Sequence, residues 1–206
     1  MKRMASRMPG LIVIVLSMAA CASAPVHYYT LVPPAASPDA GSAHETPAPP
    51  FELLPVGVPP QVDQPPIVVR QSGEGMVPLS GERWIAPLSD EVRAALALDL
   101  AHRLGSPDVS GLADTGKPSL RIKVDLRRFE SVPAQYALIE GSWSIRILHS
   151  TEDRSVTCSS HIREAVGPGY DALVRGHQRA LAKLANQIAA AMRSLVGSAK
   201  PACPPP

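Results

Sequence analysis

The stretch LRIKVDLRRF, residues 120–129, decides the fold class of the chain. From Leu120 to Leu126 it alternates strictly between apolar and charged side chains. A period of two is typical of a β-strand that buries one face and exposes the other to water. Phe129 falls out of phase with this alternation, which predicts a β-bulge just before it.

The same alternation returns in two later stretches. It is strong from Ala137 to Ile147 and weaker from Val156 to Ile162. The three predicted strands are consecutive, and short polar connections separate them. An antiparallel meander is therefore the simplest arrangement.

Two segments have the apolar spacing of amphipathic helices. Asp90–Leu104 is the first, with Ser89 as its predicted N-cap and Gly105 past its end. Residues 171–196 are the second, and Gly197 ends it. We therefore predict an α+β fold, a single domain in which two main helices pack on a mostly antiparallel sheet.

Three further strands are predicted before the first helix. They cover Val26–Val32, Phe51–Val58 and Ile67–Gln71, which are rich in β-branched and apolar residues. Pro55 confines the second of them to an edge or a bulge, because proline cannot donate to a strand ladder. Pro33–Pro50 is rich in Pro, Ala and Ser without periodicity, and is predicted to be a surface loop or tether.

Composition and charge exclude a nucleic-acid-binding protein. The chain carries a formal charge of +2, but Lys2, Arg3 and Arg7 lie in a predicted leader, and without them 17 basic residues face 18 acidic ones. A near-neutral chain lacks the basic footprint that binds phosphates. Aromatic residues make up only 4% of the sequence, too few for a platform that stacks bases.

The N-terminus has the pattern of an exported protein. After the basic start, the apolar run Leu11–Leu16 is shorter than the roughly 20 residues that span a bilayer, and small residues follow it. Met18–Cys21 resembles a bacterial lipobox, in which the leader is cut before a cysteine that carries diacylglycerol. Ala22 in place of aspartate favours the outer membrane in that resemblance. The alternative is an ordinary secretory leader followed by an incidental cysteine.

Two cysteines remain once Cys21 is assigned to the lipid. Cys158 and Cys203 would share an oxidising compartment, where disulfides persist. A bridge between them would tie the C-terminal tail to the sheet. The alternative is that Cys158 is a small core residue and Cys203 a free thiol, and sequence alone does not provide the geometry that decides between them.

Motifs of catalysis and of cofactor binding are missing from the sequence. It contains neither a nucleophile elbow nor a phosphate-binding loop, and its histidines and cysteines lack metal-ligand spacing. Gly73–Gly75 is expected at a hairpin tip instead. A hydrolase is the alternative, in which folding brings Ser160 and His177 together as nucleophile and base. We expect no cofactor and no metal.

Five aromatic and apolar residues are candidates for a partner surface. Trp84 stands just before the predicted first helix, where it either caps the core or meets a partner. The tyrosines lie in the first predicted strand, close to the lipid anchor. The five candidates are Trp84, Pro87, Leu88, Tyr28 and Tyr29.

The order of several short motifs resembles the PqiC/YmbA lipoproteins, which are also described as auxiliary lipoproteins of ABC-type transport. The resemblance covers nearly the whole chain after the lipobox. It rests on Tyr28-Tyr29-Thr30-Leu31, Val58-Pro59, Ile67-Val68, Arg83-Trp84-Ile85-Ala86-Pro87-Leu88, Gly141-Ser142-Trp143 and Gly169-Tyr170-Asp171-Ala172-Leu173-Val174.

The resemblance implies a periplasmic subunit of a lipid-transport system, anchored in the outer membrane. The implied partners are an MCE-domain protein (PqiB-like) that bridges the envelope and its inner-membrane component. Independently of the resemblance, exposed strand edges favour self-association with other copies of the chain. The resemblance implies no enzymatic activity. The predicted divisions are a signal peptide at 1–20, a lipidated N-terminus at 21–25, a PqiC-like domain at 26–197 and a Pro-rich tail at 198–206.

Three functions follow as hypotheses from these observations. The first is a tethered docking subunit of the transport system. The second is a periplasmic lipid carrier, which would need a pocket that buries acyl chains. The third is a secreted hydrolase, which would need Ser, His and Asp assembled in a cleft.

Overall fold

The computed structural model describes residues 25–34, 48–71, 73–114, 116–151, 153–197 and 200–205. The predicted signal peptide, Cys21 and most of the Pro-rich loop at 33–50 lie outside the described residues. Within them the chain forms two sheets and two helices. The strands are β1 (His27–Tyr29), β2 (Phe51–Leu53), β3 (Pro66–Arg70), β4 (Met76–Trp84), β5 (Ser119–Val132), β6 (Tyr136–Leu148) and β7 (Ser155–Ala165), and the helices are α1 (Leu88–Leu104) and α2 (Tyr170–Gly197).

The predicted meander is confirmed and forms most of a four-stranded sheet, in the order β2-β5-β6-β7. Strands β5, β6 and β7 are antiparallel neighbours, and the register of β5 on β6 shifts between Leu126 and Arg128. This shift is the predicted bulge, and it returns Phe129 to the buried face. Strand β2 pairs with β5 in parallel and ends at Leu53, because Pro55 interrupts the longer strand expected there.

A second sheet has three strands in the order β1-β4-β3. Strands β3 and β4 form an antiparallel hairpin, and Gly73 lies at its tip with φ +84°, as predicted. Strand β1 runs parallel to β4 and places Tyr28 beside Arg83. Strand β4 was not predicted, because Pro78 and Gly81 interrupt its alternation.

Both helices lie where they were predicted, but the cap of α1 differs. Helix α1 begins at Leu88, so Ser89 lies inside it and Pro87 takes the N-cap position without a side-chain hydrogen bond. The Ser89 backbone N–H instead donates to Asp63 Oδ1 at 3.2 Å. Gly105 ends the helix in the left-handed conformation, as its position predicted.

One hydrophobic cluster joins both sheets and both helices, which makes the described chain a single α+β domain. Helix α2 covers the inner face of the large sheet, and α1 lies beside α2. Two glycines permit close packing here. A Cβ on Gly176 of α2 would fall 2.3 Å from a methyl group of Val166, and one on Gly141 of β6 would fall 2.4 Å from the Asp125 carbonyl oxygen.

Candidate docking surfaces

Two of the five residues predicted as a partner surface belong to the core, so the prediction is wrong for them. Trp84 is 3% exposed and packs edge-on against Phe129, with ring centroids 6.2 Å apart. Leu88 is fully buried at the start of α1. Trp84 ends strand β4 with its side chain directed inward, whereas Pro87, three residues later, is exposed.

Tyr28 lies on an exposed apolar face of the small sheet. Alternation along β1 directs Tyr29 toward the core and Tyr28 away from it. Tyr28 is 62% exposed and Ile85, just after β4, is 66% exposed. Val26, two residues before Tyr28, is 40% exposed. We call Val26, Tyr28 and Ile85, with Arg83 beside Tyr28, the Tyr28 face.

The inward neighbour Tyr29 is held in place by its polar surroundings. Burial, together with a hydrogen bond to the carboxylate of Glu82, raises the pKa of the Tyr29 phenol well above its usual range. The Tyr29 carbonyl oxygen accepts from the Ile85 N–H at 2.9 Å. Strand β1 is therefore fixed to β4 by side-chain and main-chain contacts.

The chain after β1 is bound to helix α1 by one buried carboxylate. Glu91 Oε2 accepts from the Thr30 hydroxyl and from the Leu31 N–H, both at 2.7 Å. Leu31 is fully buried, and Gln178 of α2 donates to the Thr30 carbonyl oxygen at 3.2 Å. These contacts fix the place where the N-terminal segment leaves the domain.

The outer face of the large sheet is open and more basic than acidic. Alternation directs the polar residues of β5, β6 and β7 to the side opposite α2. Glu140 lies 3.6 Å from both Arg128 and His161. We call this surface the outer sheet face; its charged members are Glu52, Arg121, Lys123, Asp125, Arg128, Glu130, Glu140, Arg146 and Arg163.

The free edge of β7 is covered by the C-terminal tail. Cys158 and Cys203 are joined by a disulfide, with Cα atoms 5.7 Å apart. The Ala202 N–H donates to Ser194 Oγ of α2 at 3.2 Å, and Pro205 borders the same depression as His161 and Arg163 of β7. A proline-rich segment over an edge strand blocks pairing with other chains, because proline has no N–H to donate.

The buried Ser and His residues do not form a hydrolytic site. Ser160 does not meet His177; it accepts from Trp143 Nε1 at 2.8 Å and donates to Gln187 at 2.6 Å. His177 instead pairs with Ser131 at 2.8 Å, and its Nδ1 has no hydrogen-bond partner among the described residues. A triad would require a carboxylate at that nitrogen and access for a substrate.

His177 is a core residue by every local measure. It is fully buried and stacks on Phe129, with ring centroids 4.0 Å apart. Burial lowers the pKa of the imidazole to about 3, so the ring is neutral in the folded protein. Its role is packing and one buried hydrogen bond.

The surface depressions of the described chain are small or open to solvent. One, of about 180 Å³, lies between β5 and the loop after α1, beside the ion pairs Arg121–Glu52 and His149–Asp114. Ligand pockets hold roughly 300–1,000 Å³ and are mostly apolar. The described residues contain no group of three metal-ligating side chains, and neither described helix is long and apolar enough to cross a membrane.

The comparisons with known proteins agree with this architecture. The family model described as "ABC-type transport auxiliary lipoprotein component" matches residues 29–189. The chain belongs to this family. Its family is one of transport components and not a known enzyme family. Membership in a lipoprotein family also implies a lipid-anchored protein of the cell envelope. This agrees with the resemblance to the PqiC/YmbA lipoproteins in the sequence.

Solved structures share the fold of this lipoprotein at low sequence identity. An uncharacterised protein is 20% identical, with a TM-score of 0.63, over 81% of this chain and 98% of that one. A protein of Xanthomonas campestris is 17% identical, with a TM-score of 0.52, over 82% and 95% of the two chains. No curated protein sequence matches the chain.

Three residues of these surfaces escaped the sequence reasoning. Ile85 follows Trp84 directly, so alternation alone would have assigned it to the face opposite the tryptophan. Val26 is two residues before Tyr28, so alternation would have assigned these two side chains to the same face. Glu91 resembled an ordinary first-turn acid of α1, and nothing in the sequence indicated its bonds to a segment 60 residues earlier.

Proposed function

We propose that this lipoprotein is a docking subunit of an MCE-type intermembrane lipid transport system, anchored by acyl chains on Cys21 to the periplasmic face of the outer membrane. The match to the transport auxiliary lipoprotein family carries the proposal, because the matched region begins soon after the lipobox cysteine. The proposed partners are an MCE-domain protein and, through it, an inner-membrane component. The domain itself acts without a cofactor and without catalysis.

A docking role fits the described surfaces better than a carrier role. A lipid carrier has to bury acyl chains, whereas the depression beside β5 is small, and charged residues form part of its wall. A second depression, of about 360 Å³, is open and borders Arg163 and Lys183. Apolar volume is instead filled by α2 on the inner face of the large sheet.

We place the contact with the MCE-domain partner on the outer sheet face. The inner face is covered by α2 and the β7 edge by the tail, so this is the broad face of the large sheet that remains open. Its excess of Arg and Lys favours an acidic partner surface, since complementary charge speeds association and selects partners. Arg121, Arg128 and Arg146 form ion pairs with Glu52, Glu140 and Asp153. Lys123 and Arg163 form none among the described residues, so they are the cations of this face without a carboxylate partner.

Fractionation tests the anchor. The Cys21→Ser variant is expected to fold and to leave the membrane fraction, because acyl chains contribute about 0.8 kcal/mol per buried CH₂. The unchanged chain should sediment with the outer membrane. Continued recovery of Cys21→Ser with the outer membrane would contradict the anchor.

Charge reversal tests the partner surface. Lys123→Glu combined with Arg146→Glu should weaken binding of the purified MCE-domain protein at least tenfold and reduce its salt dependence. Arg193→Glu is the matched control, since Arg193 is an exposed cation on α2, on the opposite side of the sheet. Equal affinities for the two variants would refute the assignment.

A further inference from the structure

We propose that the Tyr28 face lies against the phospholipid surface and inserts Tyr28 and Ile85 into the headgroup layer. The inference rests on the proposed acylation of Cys21. It assigns to the bilayer a surface that the partner would otherwise be free to use, and it fixes the orientation of the domain on the membrane.

The first argument is the length of the tether. Val26 is five residue steps after Cys21. Fully extended, they span at most about 18 Å, at roughly 3.3–3.6 Å per residue. A domain of this size has a radius of gyration of about 16 Å. The tether is therefore about as long as the domain's radius of gyration and well short of its diameter, so only the side from which it leaves can reach the bilayer.

The second argument is that the end of the tether is rigid. Strand β1 pairs with β4 from His27 to Tyr29, and Glu91 binds the chain directly after it at Thr30 and Leu31. Residues 27–31 therefore cannot detach from the domain and lengthen the tether without breaking buried contacts. The exit point and the Tyr28 face are one rigid unit.

The third argument is the chemistry of the face. Val26, Tyr28 and Ile85 are among the most exposed large hydrophobic side chains of the described chain, and they lie together. Tyrosine favours the membrane–water interface, where its ring is apolar and its hydroxyl hydrated. Arg83 beside it can extend its stem along the apolar surface and its charge toward phosphate.

A fluorescence experiment tests the contact without requiring that bacteria acylate the chain. In the processed chain, residues 21–206, Cys21 is the one thiol outside the Cys158–Cys203 disulfide and can be coupled to a maleimide phospholipid. The coupled protein is placed in vesicles of phosphatidylethanolamine and phosphatidylglycerol, with or without bromine near the top of the acyl chains. Bromine quenches only an indole that reaches the bilayer.

The probe is Tyr28→Trp, and the control is Leu112→Trp. Leu112 is 70% exposed but follows the far end of α1, a helix about 25 Å long whose start is bound to Thr30 and Leu31. The two native tryptophans are buried and contribute a constant signal.

We expect brominated lipid to reduce the emission of the Tyr28→Trp indole at least twofold and to leave that of Leu112→Trp unchanged. Adding Ile85→Asp to the probe should remove at least half of the quenching. The proposal would be overturned if the indole at position 28 were not quenched, or if the indoles at positions 28 and 112 were quenched equally. It would also be overturned if Ile85→Asp left the quenching at position 28 unchanged. Because the lipid is attached chemically, these results are independent of the Cys21→Ser fractionation.

Discussion

Breaking the Cys158–Cys203 disulfide should destabilise the domain by about 4 kcal/mol. The bond closes a loop with a sequence separation of 45 residues. The chain-entropy relation gives about 3 kcal/mol for 15 residues and about 4.7 for 100, which places this loop near 4. Domains of this kind have a total stability of roughly 5–15 kcal/mol, so the change is a large fraction of it.

Urea unfolding, followed by the fluorescence of the buried tryptophans, measures this difference. The free energy of unfolding is compared with and without a phosphine reductant, which reaches the bond because Cys203 is exposed. Cys203→Ser is the better matched variant, since Cys158 is packed in the core and its truncation would add a cavity. The free energy of unfolding of this variant should equal that of the reduced chain and should not change when the reductant is added.

A change of less than about 1 kcal/mol in the free energy of unfolding on reduction would refute the entropic reasoning, because the relation gives about 4 kcal/mol for a loop of this length. A Cys203→Ser variant that still responds to reductant would refute the pairing itself. Mass spectrometry before and after reduction then shows whether the two cysteines were joined.

Three further predictions concern the core and the N-terminal segment. Gly141→Ala should cost about 1–3 kcal/mol in urea unfolding, because its methyl group meets the backbone of β5; an unchanged midpoint would contradict the close approach. Burial holds the pKa of His177 at about 3 against 6.5 when unfolded, so the unfolded state binds more protons and stability falls as the pH drops from 6.5 toward 3. Between pH 7 and 5 the loss should be about 2 kcal/mol, and His177→Gln should lack it. Glu91→Gln should cost about 1–3 kcal/mol and expose residues 26–32 to protease; unchanged cleavage would show that the carboxylate does not hold them.

The large sheet and both helices were predictable because their signals are local. Alternation from Leu120 to Leu126 fixes which face is buried, and the phase change at Phe129 reports the bulge. Gly105 marks the end of α1 because glycine adopts the left-handed conformation without a steric penalty. These features depend on residues that are near each other in the sequence.

The small sheet was less predictable because its signals depend on distant partners. Strand β4 contains Pro78 and Gly81, and pairing with β1 and β3 holds it extended despite them. The cap of α1 comes from Asp63, which is 26 residues earlier, so a local search selected Ser89. Strand β1 pairs in parallel with β4, and β2 pairs in parallel with β5. Nothing in the sequence of either short strand indicates which partner it takes.

The docking surfaces depended on the same distinction. Trp84 was a reasonable candidate by residue type, but the packing of β4 directs it against Phe129, and Ile85 takes the exposed position. The polar positions of the alternation in β5 predicted that one face of the large sheet is in contact with water. The sequence did not show that α2 would cover the other face and the tail the edge of β7.

The mass of the N-terminal peptide tests the central claim most directly. The protein is extracted from envelopes with detergent, digested, and its first peptide is identified by mass spectrometry. The account predicts a peptide that begins at Cys21 and carries a diacylglycerol thioether with an acylated amine. A peptide with a free amine and an unmodified Cys21 would contradict it.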